Sequence, residues 1–235
     1  MSQRGLKNNE QSNTKYLAMS NGNFVKRVKE PTPASKPRKL TKGVNKGKEV
    51  HEEHFTEFTG QLISITAEHH EQFGASWAFK FDVTVDEEEF LILKLPYSSG
   101  YSNNILTRLP NIKSFDNDLT MSGYCFRPAD KDKDVMGISM KEWRGETAEK
   151  IIPLYTKDTP NGIPEMKQVV VSGKKVWDDT ERMEFLESMV NELIIPKLGG
   201  TPIAQPAEPQ NEASTVAKLD TSDAELDEDG ELLPF

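Results

Sequence analysis

Between residues 55 and 144 the hydrophobic and polar positions follow the two-residue rhythm of β-strands. The stretch 55–66 (FTEFTGQLISIT) is β-rich and carries Gly60 where a strand can bend or bulge. A polar turn with His69 and His70 follows at 68–74. Trp77, Phe79, Phe81, Val83 and Val85 then alternate strictly with Ala78, Lys80, Asp82 and Thr84, so the three large rings are expected in a core. Asp86-Glu87-Glu88 turns the chain into 90–95 (FLILKL), a hairpin partner. Pro96 ends that strand. Residues 97–112 open with the capping residues Ser98 and Ser99 and space Ile105, Leu106, Leu109 and Ile112 for a short helix, broken near Pro110. Two more strands, 119–127 and 135–144, flank the charged turn 128–134 and predict a second hairpin. Three strands, a short helix and two strands is the order of the five-stranded OB-fold barrel, which also needs a bent first strand. The expected fold is therefore mainly β: an OB-fold barrel with a short helix between strands 3 and 4, in a domain spanning 51–198.

After the barrel, 151–156 and 168–172 read as short strands, with a turn at Gly162-Ile163-Pro164. An additional C-terminal helix is predicted over about 178–195. Asp178 and Glu181 form a capping-box pattern, Leu186, Met189, Val190, Leu193 and Ile194 make an apolar stripe, and Pro196 with Gly199-Gly200 stops the helix. The stripe must pack on the barrel or on another subunit. Residues 1–50 show almost no apolar period and are interrupted by Pro31, Pro33 and Pro37, which predicts a disordered basic arm. Residues 199–235 predict a flexible linker and a disordered acidic tail.

Hydrophobic residues are 35% of the chain and charged residues 29%, which is low in core-formers and agrees with partial disorder. The net charge of −9 divides unevenly. Residues 1–50 hold 12 Lys and Arg against 3 Glu, residues 201–235 hold one Lys against 9 acids, and the middle 150 residues hold 16 basic against 26 acidic. The basic arm suits phosphate contacts that carry no sequence information, or simply solubilises the chain; it can also attract the tail. A single cysteine, Cys125, excludes an intrachain disulfide framework and fits a reducing cytoplasm. No apolar run approaches the roughly 18–20 residues of a membrane span, and the polar N-terminus lacks a signal-peptide core, so a cytoplasmic chain with no membrane partner is expected.

Catalysis finds no specific support. His51 and His54 stand in HEEH, without the HExxH spacing, and no Gly-rich phosphate loop or GxSxG elbow occurs. Neither a metal nor another cofactor is expected. Binding of a single strand needs cations for phosphates and flat rings for bases. In 119–127, Leu119, Met121, Gly123 and Cys125 share the core face, which turns Tyr124 and Phe126 outward among Thr120 and Ser122. In 135–144, Met136, Ile138 and Met140 are the core set, leaving Lys141 and Trp143 outward, with Arg127 and Arg144 near strand ends. Lys80 and Lys94 lie on non-core or mixed faces of the second and third strands. Tyr124 and Trp143 fit a stacking platform, or equally a cap on the core with one polar edge wet.

The chain ends in DTSDAELDEDGELLPF, acids followed by a ring beside the terminal carboxylate. With the OB-like strand order and the outward aromatics among Lys and Arg, this tip resembles phage-type single-stranded DNA-binding proteins. The resemblance implies sequence-independent coating of single-stranded DNA in phage replication, recombination and repair, without catalysis. It also implies that the tip recruits replication proteins (a polymerase, helicase or nuclease), a role that maps onto Asp227, Glu228, Asp229, Glu231, Pro234 and Phe235. The same tip, a string of charges with a stackable ring, is expected to compete with DNA for the protein. Leu232-Leu233 departs from the family's usual acid or Ile before Pro-Phe, the linker is not Gly/Gln-rich, and everything after residue 145 falls outside a bare OB module. The alternative is a non-enzymatic adaptor whose barrel binds protein.

Overall fold

In the computed structural model, which describes residues 14–41, 45–70, 74–83, 90–129, 133–156, 158–171 and 173–199, β structure begins at Thr14. Strands β1 (Thr14–Ser20), β2 (Asn23–Val28), β3 (Lys36–Lys39) and β4 (Glu49–Phe55) come first. They are followed by β5 (Glu57–His70), β6 (Gly74–Asp82), β7 (Phe90–Pro96), helix α1 (Gly100–Leu106), β8 (Leu119–Phe126), β9 (Val135–Arg144) and β10 (Thr147–Ile151). A small hairpin, β11 (Lys167–Val171) and β12 (Lys174–Asp178), and helix α2 (Thr180–Met189) complete the described fold. Strands β1 to β10 form one mixed sheet in the order β10-β9-β8-β5-β6-β7-β1-β2-β4-β3.

The two predicted hairpins are present, with Phe79 opposite Leu93 and Met121 opposite Met140. The five-stranded OB-fold barrel is not, because the sheet is not closed. Closure would bring the free edge of β7 to β9, and both edges are occupied. The N-terminal hairpin lies against β7, its β1 running parallel with Thr14 opposite Phe90 and Leu17 opposite Leu93. On β9, residues 140–144 pair with β10, and the Ile138 N–H donates to the Asn104 side chain of α1 at 3.2 Å. The long strand β5 joins the two halves of the sheet: residues 57–60 pair with β8 and 61–70 with β6. Gly60 sits at this change of partner, where a Cβ would come within 2.6 Å of the Asp82 carbonyl oxygen. The irregular pairing itself falls two residues later, between Leu62 and Ser64.

The expected disordered arm also needs correction, since residues 14–20, 23–28 and 36–39 are strands. Leu17 and Met19 point into the main core while Ala18 packs with Leu40 and Val50 on the opposite side of β1. A strand buried on both faces has no alternation to read. Asn21 (φ 46°) and Gly22 (φ 74°) form the tight turn of this hairpin, a dipeptide suited to two successive positive φ angles. The arm's cations are partly matched: Lys26 pairs with Glu53 at 2.9 Å, and Arg38 grips the buried Glu52 with Nε and Nη2 at 2.8–3.0 Å. Pro37 sits in β3, the edge strand, where its missing N–H costs least.

One continuous core fills the space between the halves. Trp77, Phe79, Phe81 and Leu93 from one half meet Leu119, Met121, Ile138 and Met140 from the other, all essentially without solvent contact. Each such side chain contributes about 1.5–3 kcal/mol by burial. Phe58 of β5 packs edge-on against both Phe24 and Phe81, with ring centroids 4.9 and 5.0 Å away. Ser99 caps α1, its Oγ accepting from the Ser102 N–H at 3.0 Å, and Ile105, Leu106, Leu109 and Ile112 are buried as their spacing predicts.

The C-terminal elements differ in detail from expectation. The strand expected at 151–156 lies earlier, at β10, and the helix begins at Thr180 because Asp178 ends β12. The capping box does not form: the Asp178 carboxylate accepts from the Thr180 N–H, and Glu181 pairs with Lys167. After α2 the chain continues through a π turn (Val190–Ile194) and a 3₁₀ turn (Ile195–Leu198), closed by Gly199 at φ 67°. Leu186, Met189, Val190 and Ile194 join the chain's own core, whereas Leu193 is exposed. Tyr97 fixes this layer. Its ring stacks on Trp77 at 5.3 Å, and its hydroxyl donates to the half-buried pair's other member, Glu187 of α2. Burial, then the carboxylate itself, push the Tyr97 phenol far above its usual range, so the tyrosine remains the donor. The 199–235 linker and tail, apart from Gly199, lie outside the described residues. No helix among the described residues is long and apolar enough to cross a membrane.

Glu142 occupies the core stripe of β9, 1% exposed, where an apolar residue would be expected. Its carboxylate accepts from the Ser114 N–H (2.9 Å), the Lys113 N–H (3.2 Å), the Asn117 amide (2.9 Å) and Arg144 (3.3 Å), tying the 113–117 loop beneath the strand. Burial pushes the carboxyl up, but the Asn117 and backbone donors outweigh it and hold its pKa below the ordinary 4.5. A depressed folded-state value means that the stabilisation is complete above the ordinary pKa and is lost as pH falls through the depressed one. Glu142→Gln should therefore cost about 2 kcal/mol at neutral pH, and its urea-unfolding free energy should converge on that of the unsubstituted chain as pH drops below about 4.5. A second prediction concerns the Asn21-Gly22 turn. A Cβ on Gly22 would stand 2.5 Å from the Tyr124 carbonyl carbon and oxygen, so Gly22→Ala should destabilise the fold by about 2 kcal/mol or more in the same measurement.

Candidate nucleic-acid interface

Alternation in β8 and β9 divides their side chains over most of their length, but Cys125, expected on the core face, is exposed near the end of β8. Leu119, Met121, Ile138 and Met140 enter the core, so Thr120, Ser122, Tyr124 and Phe126 share the outer face with Gly137, Ser139, Lys141 and Trp143. The register sets Thr120 opposite Lys141 and Tyr124 opposite Gly137. Strand β10 extends this face, with Lys150 opposite Lys141 and Ala148 opposite Trp143.

The rings are held in defined positions. The Trp143 indole N–H donates to the Thr120 hydroxyl at 2.8 Å, and that hydroxyl lies 2.7 Å from the Thr59 hydroxyl of β5. The ring is thus anchored by its edge and remains 38% exposed. Tyr124 lies across Gly137, whose missing side chain makes the room; a Cβ there would collide with the tyrosine hydroxyl and with Asn104. Phe126, 55% exposed, sits 6.0 Å from Tyr124, centroid to centroid. From the Tyr124 level to Trp143 the face covers six residues of β9, or about 20 Å of extended chain.

Lys141 and Lys150 face each other across β9 and β10, both exposed, and among the described residues neither has a carboxylate within ion-pair distance. Like charges directly opposite in a sheet are unfavourable, and an anion between them relieves the repulsion. The nearest acid on this face described by a contact is Glu57, which accepts from Ser122 at 3.3 Å.

Of the residues singled out in the sequence, the structure brings together Tyr124, Phe126, Lys141 and Trp143. The others stand differently. Lys80 and Lys94 lie in the opposite half of the sheet, the first with its ammonium 3.9 Å from the Phe90 ring centre and the second paired with Glu68 at 2.7 Å. Arg127 reaches across its connection to Asp134 at 2.7 Å. Arg144 shares the Glu142 face of β9 and is held by Glu142 and by Glu149 at 2.8 Å, so its charge is spent within the protein. Asp227, Glu228, Asp229, Glu231, Pro234 and Phe235 lie outside the described residues.

Sequence reasoning missed Lys150, because β10 was expected four residues later. It also missed the cleft of about 590 Å³ beside Tyr124, whose walls come from α1, the 153–166 segment, β12 and α2. No linear motif joins those parts. Comparison with family profiles, curated proteins and solved structures found no match for the chain.

The contacts of the two most exposed rings predict different costs of removal. Trp143→Phe should lose about 1 kcal/mol of unfolding free energy with the Thr120 hydrogen bond. Phe126→Ala should stay within about 0.5 kcal/mol of the unsubstituted chain, since the ring fills no core space.

Proposed function

We propose that this chain binds single-stranded DNA without sequence preference along the outer face of β8, β9 and β10. The observation that carries the reading is the line of rings on one face, the anchored and exposed Trp143, the half-buried Tyr124 and the exposed Phe126, with the Lys141–Lys150 pair between its ends. Rings take bases by stacking, which tolerates any base because all have a flat face. The two ammonium groups take the phosphates, and the hydroxyls of Thr120, Ser122 and Ser139 stand between. The middle 150 residues are acidic on balance, so the path across them is narrow and steered by these two charges rather than by a broad basic surface. In keeping with the resemblance of its 227–235 tip, the chain would cover strands exposed in phage replication and recombination, and the tip would draw replication proteins to them. The chemistry proposed is binding alone.

The test is a fluorescence titration with an oligo(dT) at several salt concentrations. Trp143→Ala and Tyr124→Ala should each weaken binding by about 1–3 kcal/mol, the worth of one stacked base. Lys141→Ala and Lys150→Ala should each reduce the slope of log K against log salt by roughly 0.7. Absence of binding at low salt would reject this reading in favour of a protein-binding adaptor.

A further inference from the structure

Two residues that line the cleft beside Tyr124 each carry a buried polar atom that the protein leaves unused. Arg108, at the end of α1, donates from Nη1 to the Asn104 carbonyl at 2.5 Å, but its Nε is buried without an acceptor. Burial lowers the guanidinium's pKa, a cost to the charged form, yet among the described residues no carboxylate pairs with it. An arginine does not shed its proton, so a desolvated guanidinium in this setting calls for an anion. Asn103, one helix residue before Asn104, donates its amide to the Ser99 carbonyl at 3.1 Å, while its Oδ1 is buried with no donor. Both residues line the cleft.

Flat surfaces complete the lining. Tyr155 is braced edge-on by Phe185 at 5.5 Å, Tyr124 separates the cleft from the outer face, and Trp177 on β12 leaves 61% of its surface exposed at the rim. Arg182, whose Nε donates to the Pro164 carbonyl at 2.9 Å, adds a second positive charge against the single carboxylate of Glu165. The cleft's roughly 590 Å³ falls in the range of small-molecule sites. Its lining offers the guanidinium groups of Arg108 and Arg182, the side-chain amide of Asn103 and the flat faces of the aromatics.

We propose that this cleft binds one nucleotide, its phosphate on Arg108 and its base against Tyr155 and Trp177. The phosphate supplies the missing anion, and the base or sugar supplies the donor that Asn103 Oδ1 lacks. The nucleotide is either free or the phosphorylated end of a strand, for which Tyr124 would be the last ring before the cleft. The inference extends the strand-binding reading but is tested separately from it.

The experiment uses the full chain carrying Trp143→Phe, so that Trp177 is the exposed indole that reports and Trp77 stays buried. Thymidine 5′-monophosphate should quench saturably, and thymidine, without the phosphate, should bind at least about tenfold more weakly. Arg108→Gln should bring the monophosphate down to the affinity of thymidine. Because that change also removes the bond to the Asn104 carbonyl, Trp177→Ala at an exposed position is the second variant. It should weaken monophosphate binding several-fold in equilibrium dialysis with an unaltered circular dichroism spectrum. No saturation by about 10 mM, or equal binding by the Arg108 and Trp177 variants, overturns the proposal. Oligo(dT) binding by the unsubstituted chain that is weakened by Trp143→Ala would show that the cleft alone had failed. Tighter binding of a 5′-phosphorylated oligo(dT) than of its unphosphorylated form supports the strand end as the ligand; equal binding with monophosphate retained supports the free nucleotide.

Discussion

The close approach of two glycines organises the fold. The Asn21-Gly22 turn is pressed against Gly123 of β8 so tightly that a Cβ on either residue would strike the other chain segment's backbone. The Gly22 N–H also donates to the Tyr101 hydroxyl of α1 at 3.0 Å. One turn thus holds the N-terminal hairpin, the strand that carries Tyr124 and Phe126, and the helix that carries Asn103 and Asn104. Backbone contact of this kind admits no side chain, so the two positions constrain one another. Through them the proposed strand-binding face and the cleft share a single support.

Several cations of the described protein are each matched by a nearby acid. Lys26 meets Glu53, Arg38 meets Glu52, Lys94 meets Glu68, Arg127 meets Asp134, and Arg144 meets both Glu142 and Glu149. Exposed pairs such as Arg127–Asp134 add little stability, but they remove charge from the surface field. Lys141 and Lys150 differ from these in standing opposite each other, and the half-buried Arg108 in donating to a carbonyl. The acidic balance of the body therefore does not oppose anion binding everywhere.

The half-buried strands were legible because one face met core and the other water. Trp77, Phe79 and Phe81 alternate with polar residues and are buried, and the same rule turned Tyr124, Phe126, Lys141 and Trp143 outward. The N-terminal hairpin was illegible by period, since Leu17, Ala18 and Met19 are all buried. Its turn was not: Asn21-Gly22 between apolar runs is a hairpin signal that the surrounding lysines and prolines obscured. Glu142 had a signal too, a carboxylate in the stripe of Met136, Ile138 and Met140, although its partners at 113–117 are visible only in three dimensions.

By itself the sequence determined the mainly β character, the two central hairpins, the capped helix after Pro96, and the outward facing of Tyr124, Phe126, Lys141 and Trp143, though it placed the exposed Cys125 in the core. Those follow from local periodicity, caps and turns, which act over a few residues. Tertiary structure decided that the sheet stays open, because the N-terminal hairpin takes the edge of β7 while β10 and Asn104 take that of β9. It also decided which cations are free, since a lysine's partner is set by strand register and not by spacing along the chain. The cleft belongs wholly to this second kind: Arg108, Tyr155, Trp177 and Arg182 come from segments up to 74 residues apart, and only packing joins them.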